Sequence, residues 1–206
     1  MNQSMMKLAT LAGAALALTC GVVNAESTYG YTATGAGTIS ATAKVNITVT
    51  TPKLILLRVG ASGSAAEAVA LTASLTSIPG GATSVTAGNS QASGWNDGVP
   101  TLTGATAAAI TAAAWTNASG GGKVSSAVTS AFTNGLTAAS ITVASTTVSG
   151  AGLAHPGTDT GTSVETSFAR NAVASSTWVY SIAGSALAGI AGGADTQVVT
   201  YTATAL

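Results

Sequence analysis

Between Thr38 and Thr50 the chain reads TISATAKVNITVT, an unbroken alternation of two kinds of side chain. Ile39, Ala41, Ala43, Val45, Ile47 and Val49 share one face, and Thr38, Ser40, Thr42, Lys44, Asn46, Thr48 and Thr50 share the other. A period of two predicts a β-strand. At ~3.3 Å per residue it would reach roughly 40 Å, about twice the usual strand of a globular domain. Pro52 follows, and because proline donates no ladder hydrogen bond, Thr51-Pro52 predicts a bend or a switch of strand. KLILLRVG (residues 53–60) is a continuous apolar run and predicts a strand buried on both faces. EAVALTASLTSIP alternates through Val69, Leu71, Ala73 and Leu75 and stops at Pro79-Gly80-Gly81. TNASGGG (residues 116–122) is a turn signal between ITAAAW and KVSSAVTSAF, which predicts a hairpin. ASITVASTTVSG, TSVETSFAR, STWVYSIAG and TQVVTYTATAL complete the set.

Two segments compete with this pattern. Ser64 and Glu67 have capping-box spacing, and GATAAAITAAAW has helical propensity, but the surrounding Val, Thr and Ile favour strands or loops. About nine short strands at this spacing predict an all-β sandwich, and no fixed repeat marks a β-solenoid.

The start of the chain has a different character. Lys7, the apolar run Leu8 to Leu18 and the small residues Val23-Asn24-Ala25 predict a secretory signal over residues 1–25, with Glu26 as the first residue of the exported protein. Residues 26–37 then form a flexible leader, and 38–206 one domain whose first part, 38–51, is a candidate donor strand. The single cysteine of the chain, Cys20, lies in the signal. The exported part therefore has to fold without disulfides or thiolate metal sites.

Charge changes the picture more than length does. Only 6% of the 206 residues are charged, six basic against six acidic, where an ordinary soluble domain has ~25%. Nothing in that balance recruits nucleic acid or anionic lipid. Strands with few charged gatekeepers suit a protein packed against copies of itself, although a stable, weakly charged monomer has the same composition. No second apolar stretch is long enough to predict a membrane span, and nine aromatic residues are thin for the girdles of a membrane barrel.

Catalytic chemistry is sparse. His155 is the one histidine, set in the turn-like GLAHPGTDTGT, and a Ser-His-Asp site with Asp159 lacks any nucleophile-elbow motif. The plain expectation is a loop histidine bonded to the backbone, in a protein that is not an enzyme and needs no cofactor. Dispersed acids with one histidine and no exported cysteine make no metal-ligand set. Trp115, Phe132, Phe168, Trp178 and Tyr201 lie in strand-like runs and are expected in the core. Trp95, in the loop SGWNDG, would serve a different reading, a monomeric sandwich acting as an adhesin or carbohydrate-binding module.

The signal, the ATAKVNITVTTP segment, the β-rich body and the alternating QVVTYTATAL terminus resemble the secreted β-sandwich subunits of chaperone–usher fimbriae and the related spore-coat-U-like proteins. The resemblance is one of layout over most of the exported chain. It implies an incomplete immunoglobulin-like β-sandwich, polymerisation with copies of itself by donor-strand exchange, and, as partners, a periplasmic chaperone and an outer-membrane usher. It also implies a route through the periplasm to the cell surface or beyond. Ile39, Ala41, Ala43, Val45, Ile47 and Val49 would be the donor positions, and Val199, Tyr201, Ala203 and Ala205 the strand that the chaperone pairs with. The sequence departs from that pattern in having no cysteine pair, in ending on Leu206 and in placing small alanines at donor positions. Whether 38–51 pairs within its own molecule or between molecules stays open at this level.

Overall fold

The computed structural model describes residues 26–63, 65–81, 85–157 and 164–206. The predicted signal, the Ser64 of the capping-box reading and Asp159 lie outside the described residues. Among the described residues there is no α-helix, and no helix is long and apolar enough to cross a membrane. The described residues form ten strands: β1 (Ile55–Val59), β2 (Ser74–Ser77), β3 (Thr101–Thr103), β4 (Ala105–Thr106), β5 (Ile110–Thr116), β6 (Gly122–Ser130), β7 (Ile141–Ser149), β8 (Thr166–Phe168), β9 (Ala174–Ile182) and β10 (Val198–Ala205). Contacts divide the chain between Thr51 and Pro52 into two compact units.

All pairings in the second unit are antiparallel. In the largest sheet β9 is central. β5 and β4 follow one another along one of its edges, continued by the bond from Ala107 N–H to the Tyr180 carbonyl, while β7 takes the other edge and β1 flanks β5. A second sheet has the order β10-β6-β8, and β2 pairs with β3.

Alternation along β9 sends Ala174, Ser176, Trp178, Tyr180 and Ile182 inward, all buried. Of these, Ala174, Trp178 and Tyr180 cluster with Ala112 and Ala114 of β5, Val124 of β6, Phe168 of β8 and Leu153 of the segment after β7, so both sheets contribute to one core. Small residues are needed there: a Cβ at Gly122 would collide with the Phe168 ring.

Four expectations change. ITAAAW and KVSSAVTSAF are strands β5 and β6, but they belong to different sheets, so TNASGGG is a crossing between sheets and no hairpin. Asn117 directs that crossing: its side-chain amide donates to the Pro52 carbonyl, and its oxygen accepts from Leu54 N–H. KLILLRVG is an edge strand paired only with β5; Ile55, Leu57 and Val59 are half-buried, and Leu54 and Leu56 are about half exposed. An apolar run satisfies an edge position as well as a central one, because run length carries no information about neighbours. Trp115 faces away from Ala112 and Ala114 and is half-buried beside Leu56, and Phe132 is half-buried in a loop, whereas Phe168 and Trp178 are core. In 67–77 only Ser74–Ser77 joins a ladder, although Val69, Leu71 and Ala73 keep the half-buried alternation.

Candidate functional site

The ten residues singled out by the alternation fall into two groups. Ile39, Ala41, Ala43, Val45, Ile47 and Val49 lie in a segment that enters no strand ladder. All six are exposed, Ile39 at 54% and Val45, Ile47 and Val49 above 80%. Isolated apolar side chains on a surface are ordinary, but three large ones in a row on one stripe are a contiguous apolar strip.

Val199, Tyr201, Ala203 and Ala205 form the inward stripe of β10, and all are half-buried. Thr200, Thr202 and Thr204 face out, as period two requires. β10 pairs along its length with β6, from Val199 opposite Val128 to Ala205 opposite Gly122. Its other edge has no ladder partner among the described residues. β1 is likewise paired on one edge only, and the two edge strands run near one another. Along this margin the inward residues Ile55, Leu57 and Val59 of β1 and Tyr201 and Ala203 of β10 touch the core without being covered by it.

Tyr201 also belongs to a polar cluster that the sequence pattern did not reveal. The chain after β7 turns inward, placing Leu153 in the core, where its N–H donates to Ser176 Oγ (2.8 Å) and its carbonyl accepts from Trp178 Nε1 (2.8 Å). His155 follows. Its own N–H donates to Ser145 Oγ (2.9 Å), and its ring stacks edge-on against Trp178 with centroids 4.6 Å apart. Gly157 N–H donates to His155 Nδ1 (2.9 Å), which leaves the proton of the neutral ring on Nε2. Nε2–H donates to Tyr201 Oη (2.7 Å), and the Tyr201 and Tyr180 hydroxyls share a further hydrogen bond (2.8 Å). Burial pushes the histidine down to about 4 and pushes the Tyr180 phenol up; Tyr201 is also raised, by burial and then by Tyr180.

His155 is therefore the backbone-bonded loop histidine expected, with an addition: its ring links β9 in one sheet to β10 in the other. Ser145 Oγ is bonded to the His155 backbone, and both ring nitrogens are engaged by Gly157 and Tyr201. The clue available beforehand was that Trp178 and Tyr180 share a parity in STWVYS. Among the described residues no group of three or more His, Cys, Asp or Glu converges as a metal site would require. Comparison of the chain with protein-family models, with curated proteins and with solved structures finds no match.

Proposed function

We propose that the chain is an exported structural subunit of an extracellular bacterial fibre, pilus or surface coat, a β-sandwich joined to copies of itself by β-strand addition. Residues 38–51 of one copy supply the strand, and the margin flanked by β1 and β10 of the next copy receives it. One observation carries the reading. An exposed alternating apolar strip, Ile39 to Val49, and a margin of half-covered apolar side chains occur in the same chain, and each can supply the cover the other lacks. Unpaired strand edges are templates for another chain, and a head-to-tail contact of unlike surfaces propagates as an open filament.

The stripe is graded. Burying Val45, Ile47 and Val49 stabilises the contact more than burying Ala41 and Ala43, by about 1 to 2 kcal/mol per position. The grip of the added strand is therefore concentrated towards Thr50. The resemblance in layout to fimbrial and spore-coat-U-like subunits is in keeping with this reading, and would add a chaperone strand that guards the margin before assembly.

The test is a paired substitution, Val45→Asp with Ile47→Asp, in the full chain. Both residues are exposed, so circular dichroism and the unfolding midpoint stay as in the parent. Light scattering and negative-stain microscopy should show filaments for the parent, with or without seeds, and only monomers for the variant. A parent that stays monomeric, or a variant that polymerises as well as the parent, refutes the proposal.

A second reading has its own observation. Trp95 is 56% exposed, and its Nε1 donates to the Gly98 carbonyl (2.7 Å), so the ring is held in place on the surface. A monomeric adhesin or carbohydrate-binding module would use such a ring as a stacking platform. Quenching of Trp95 fluorescence by oligosaccharides in a monomeric parent chain would favour it.

A further inference from the structure

The leader does not simply trail from the pairing segment. It turns back at Ala33-Thr34-Gly35, where Gly35 (φ 72°) and Gly37 (φ 89°) take left-handed conformations and Thr32 Oγ1 donates to the Ala36 carbonyl (3.4 Å). It then lies antiparallel to the strip. Thr42 N–H donates to Thr28 Oγ1 (3.0 Å), and Thr28 Oγ1 donates to the Thr42 carbonyl (2.7 Å). Two residues further along, Lys44 N–H donates to a Glu26 carboxylate oxygen (3.2 Å). Two residues the other way, Gly30 lies so close that an added Cβ would stand 2.9 Å from the Ser40 carbonyl oxygen and 3.2 Å from its nitrogen.

In a strand, the N–H and C=O of one residue point to the same edge, and successive residues alternate between edges. Thr42 obeys this rule, because both of its backbone groups meet the same hydroxyl. The groups bonded by the leader thus belong to the even-numbered edge, Thr42 and Lys44, and Gly30 lies close against the same edge at Ser40. One threonine hydroxyl acts as donor and acceptor at once, as the backbone of a neighbouring strand would. The odd-numbered edge is not covered in this way, and the cap ends at Lys44.

We propose that Glu26, Thr28 and Gly30 form an intramolecular cap over one backbone edge of the pairing segment, and that this cap sets the order of strand addition to a second copy. The inference rests on the assembly reading above. A partner edge engages Val45 to Thr50 first, where the backbone is uncapped and the apolar side chains are largest. Pairing then advances towards Ser40 only as the leader peels away. Insertion between two strands requires both edges of the segment, so release of Thr28 is the slow step.

The experiment uses the chain as isolated from cells, unpolymerised, with the variants Thr28→Val and Glu26→Ala, singly and together, and Ile47→Asp as the pairing-deficient control. Amide exchange comes first: Thr42 and Lys44 should exchange several-fold more slowly than Asn46 and Thr48. Thr28→Val should remove the protection of Thr42, and Glu26→Ala that of Lys44. Seeded polymerisation followed by light scattering should be about fivefold faster in the double variant, the scale set by losing exposed hydrogen bonds of ~1 kcal/mol. Equal exchange at all four amides overturns the cap. Protection present but polymerisation rates unchanged, with Ile47→Asp still blocking assembly, overturns its role in ordering. No polymer from any chain refutes the assembly reading and with it the regulation, and the exchange data then report separately whether the leader is bonded.

Discussion

Acid should loosen this protein through a single side chain. His155 is the one histidine of the chain, so no other side chain has an ordinary pKa between 5 and 7.5. Its ring gives up a proton at an ordinary 6.5 in the unfolded chain and is held down to about 4 in the folded one by burial. A histidine with a depressed folded value contributes stability that is complete above 6.5 and is lost as the pH falls from 6.5 towards 4. At pH 5 nearly all unfolded chains carry the proton, whereas only about a tenth of folded ones do, and linkage then lowers stability by roughly 2 kcal/mol relative to pH 7.5. Partial access of solvent to the ring trims this to about 1 to 2 kcal/mol. The geometry gives the same sign, because a doubly protonated ring turns Nδ1 into a donor facing the donor Gly157 N–H. Facing groups from the packed strands, the phenols of Tyr180 and Tyr201, stay neutral throughout and provide no counter-charge. Urea unfolding of unpolymerised chain, followed by tryptophan fluorescence at pH 7.5, 6 and 5, should show the midpoint falling by about 0.5 to 1 M, given the usual denaturant slope. His155→Gln should be less stable at pH 7.5 and nearly flat across the range. A flat profile for the parent chain, or an equal fall in His155→Gln, would refute the reasoning.

Three other outcomes are expected. Tyr201→Phe removes the hydroxyl that meets both His155 and Tyr180 and should cost about 1 to 2 kcal/mol in urea unfolding; because the hydroxyls act together, Tyr180→Phe added to it should cost less than the sum of the two single changes. Gly122→Val forces a side chain into the Phe168 ring and should lower stability by ~1 to 3 kcal/mol, with Phe168→Leu in the same chain restoring part of it in thermal melts. The Lys123–Glu165 ion pair spans 2.7 Å, but its side chains remain 32% and 48% accessible, so Glu165→Gln should shift the unfolding free energy by no more than ~0.5 kcal/mol and a larger change would mean a missing partner.

Much of the local structure was legible because alternation is a local property. Side chains of neighbouring strand residues project to opposite faces whatever the strand's partners are, so QVVTYTATAL reads as β10, STWVYSIAG as most of β9 and ASITVASTTVSG as β7. The same logic identified Phe168 and Trp178 as core. Partner choice was not legible. Five residues between β5 and β6 satisfy a hairpin or a crossing equally well, and the choice follows from distant partners, β1 and β9 for β5 and β10 and β8 for β6, with Asn117 fixing the corner to Pro52 and Leu54. Edge position was equally hidden, since Leu54 to Leu57 look the same whether one neighbour or two lie alongside. His155 was visible as a loop residue, but its inward turn depends on Ser126, Ser145 and Ser176, each contributed by a different strand.

By itself, then, the sequence determined a β-rich chain of low charge, the face each ladder residue takes and the inward parity of Val199, Tyr201, Ala203 and Ala205, whereas Thr38 to Thr50 alternates in sequence but is exposed at every position and joins no ladder. These follow from backbone stereochemistry and transfer free energy, which act residue by residue. The tertiary structure alone decided which strands lie at the edges, which half-covered side chains line the margin between β1 and β10, that one histidine links two sheets, and that Thr28 occupies the backbone of Thr42. Each of those depends on the meeting of segments distant in sequence, from Thr28 with Thr42 to β1 with β10, where small differences in packing choose among pairings that the local pattern leaves equivalent.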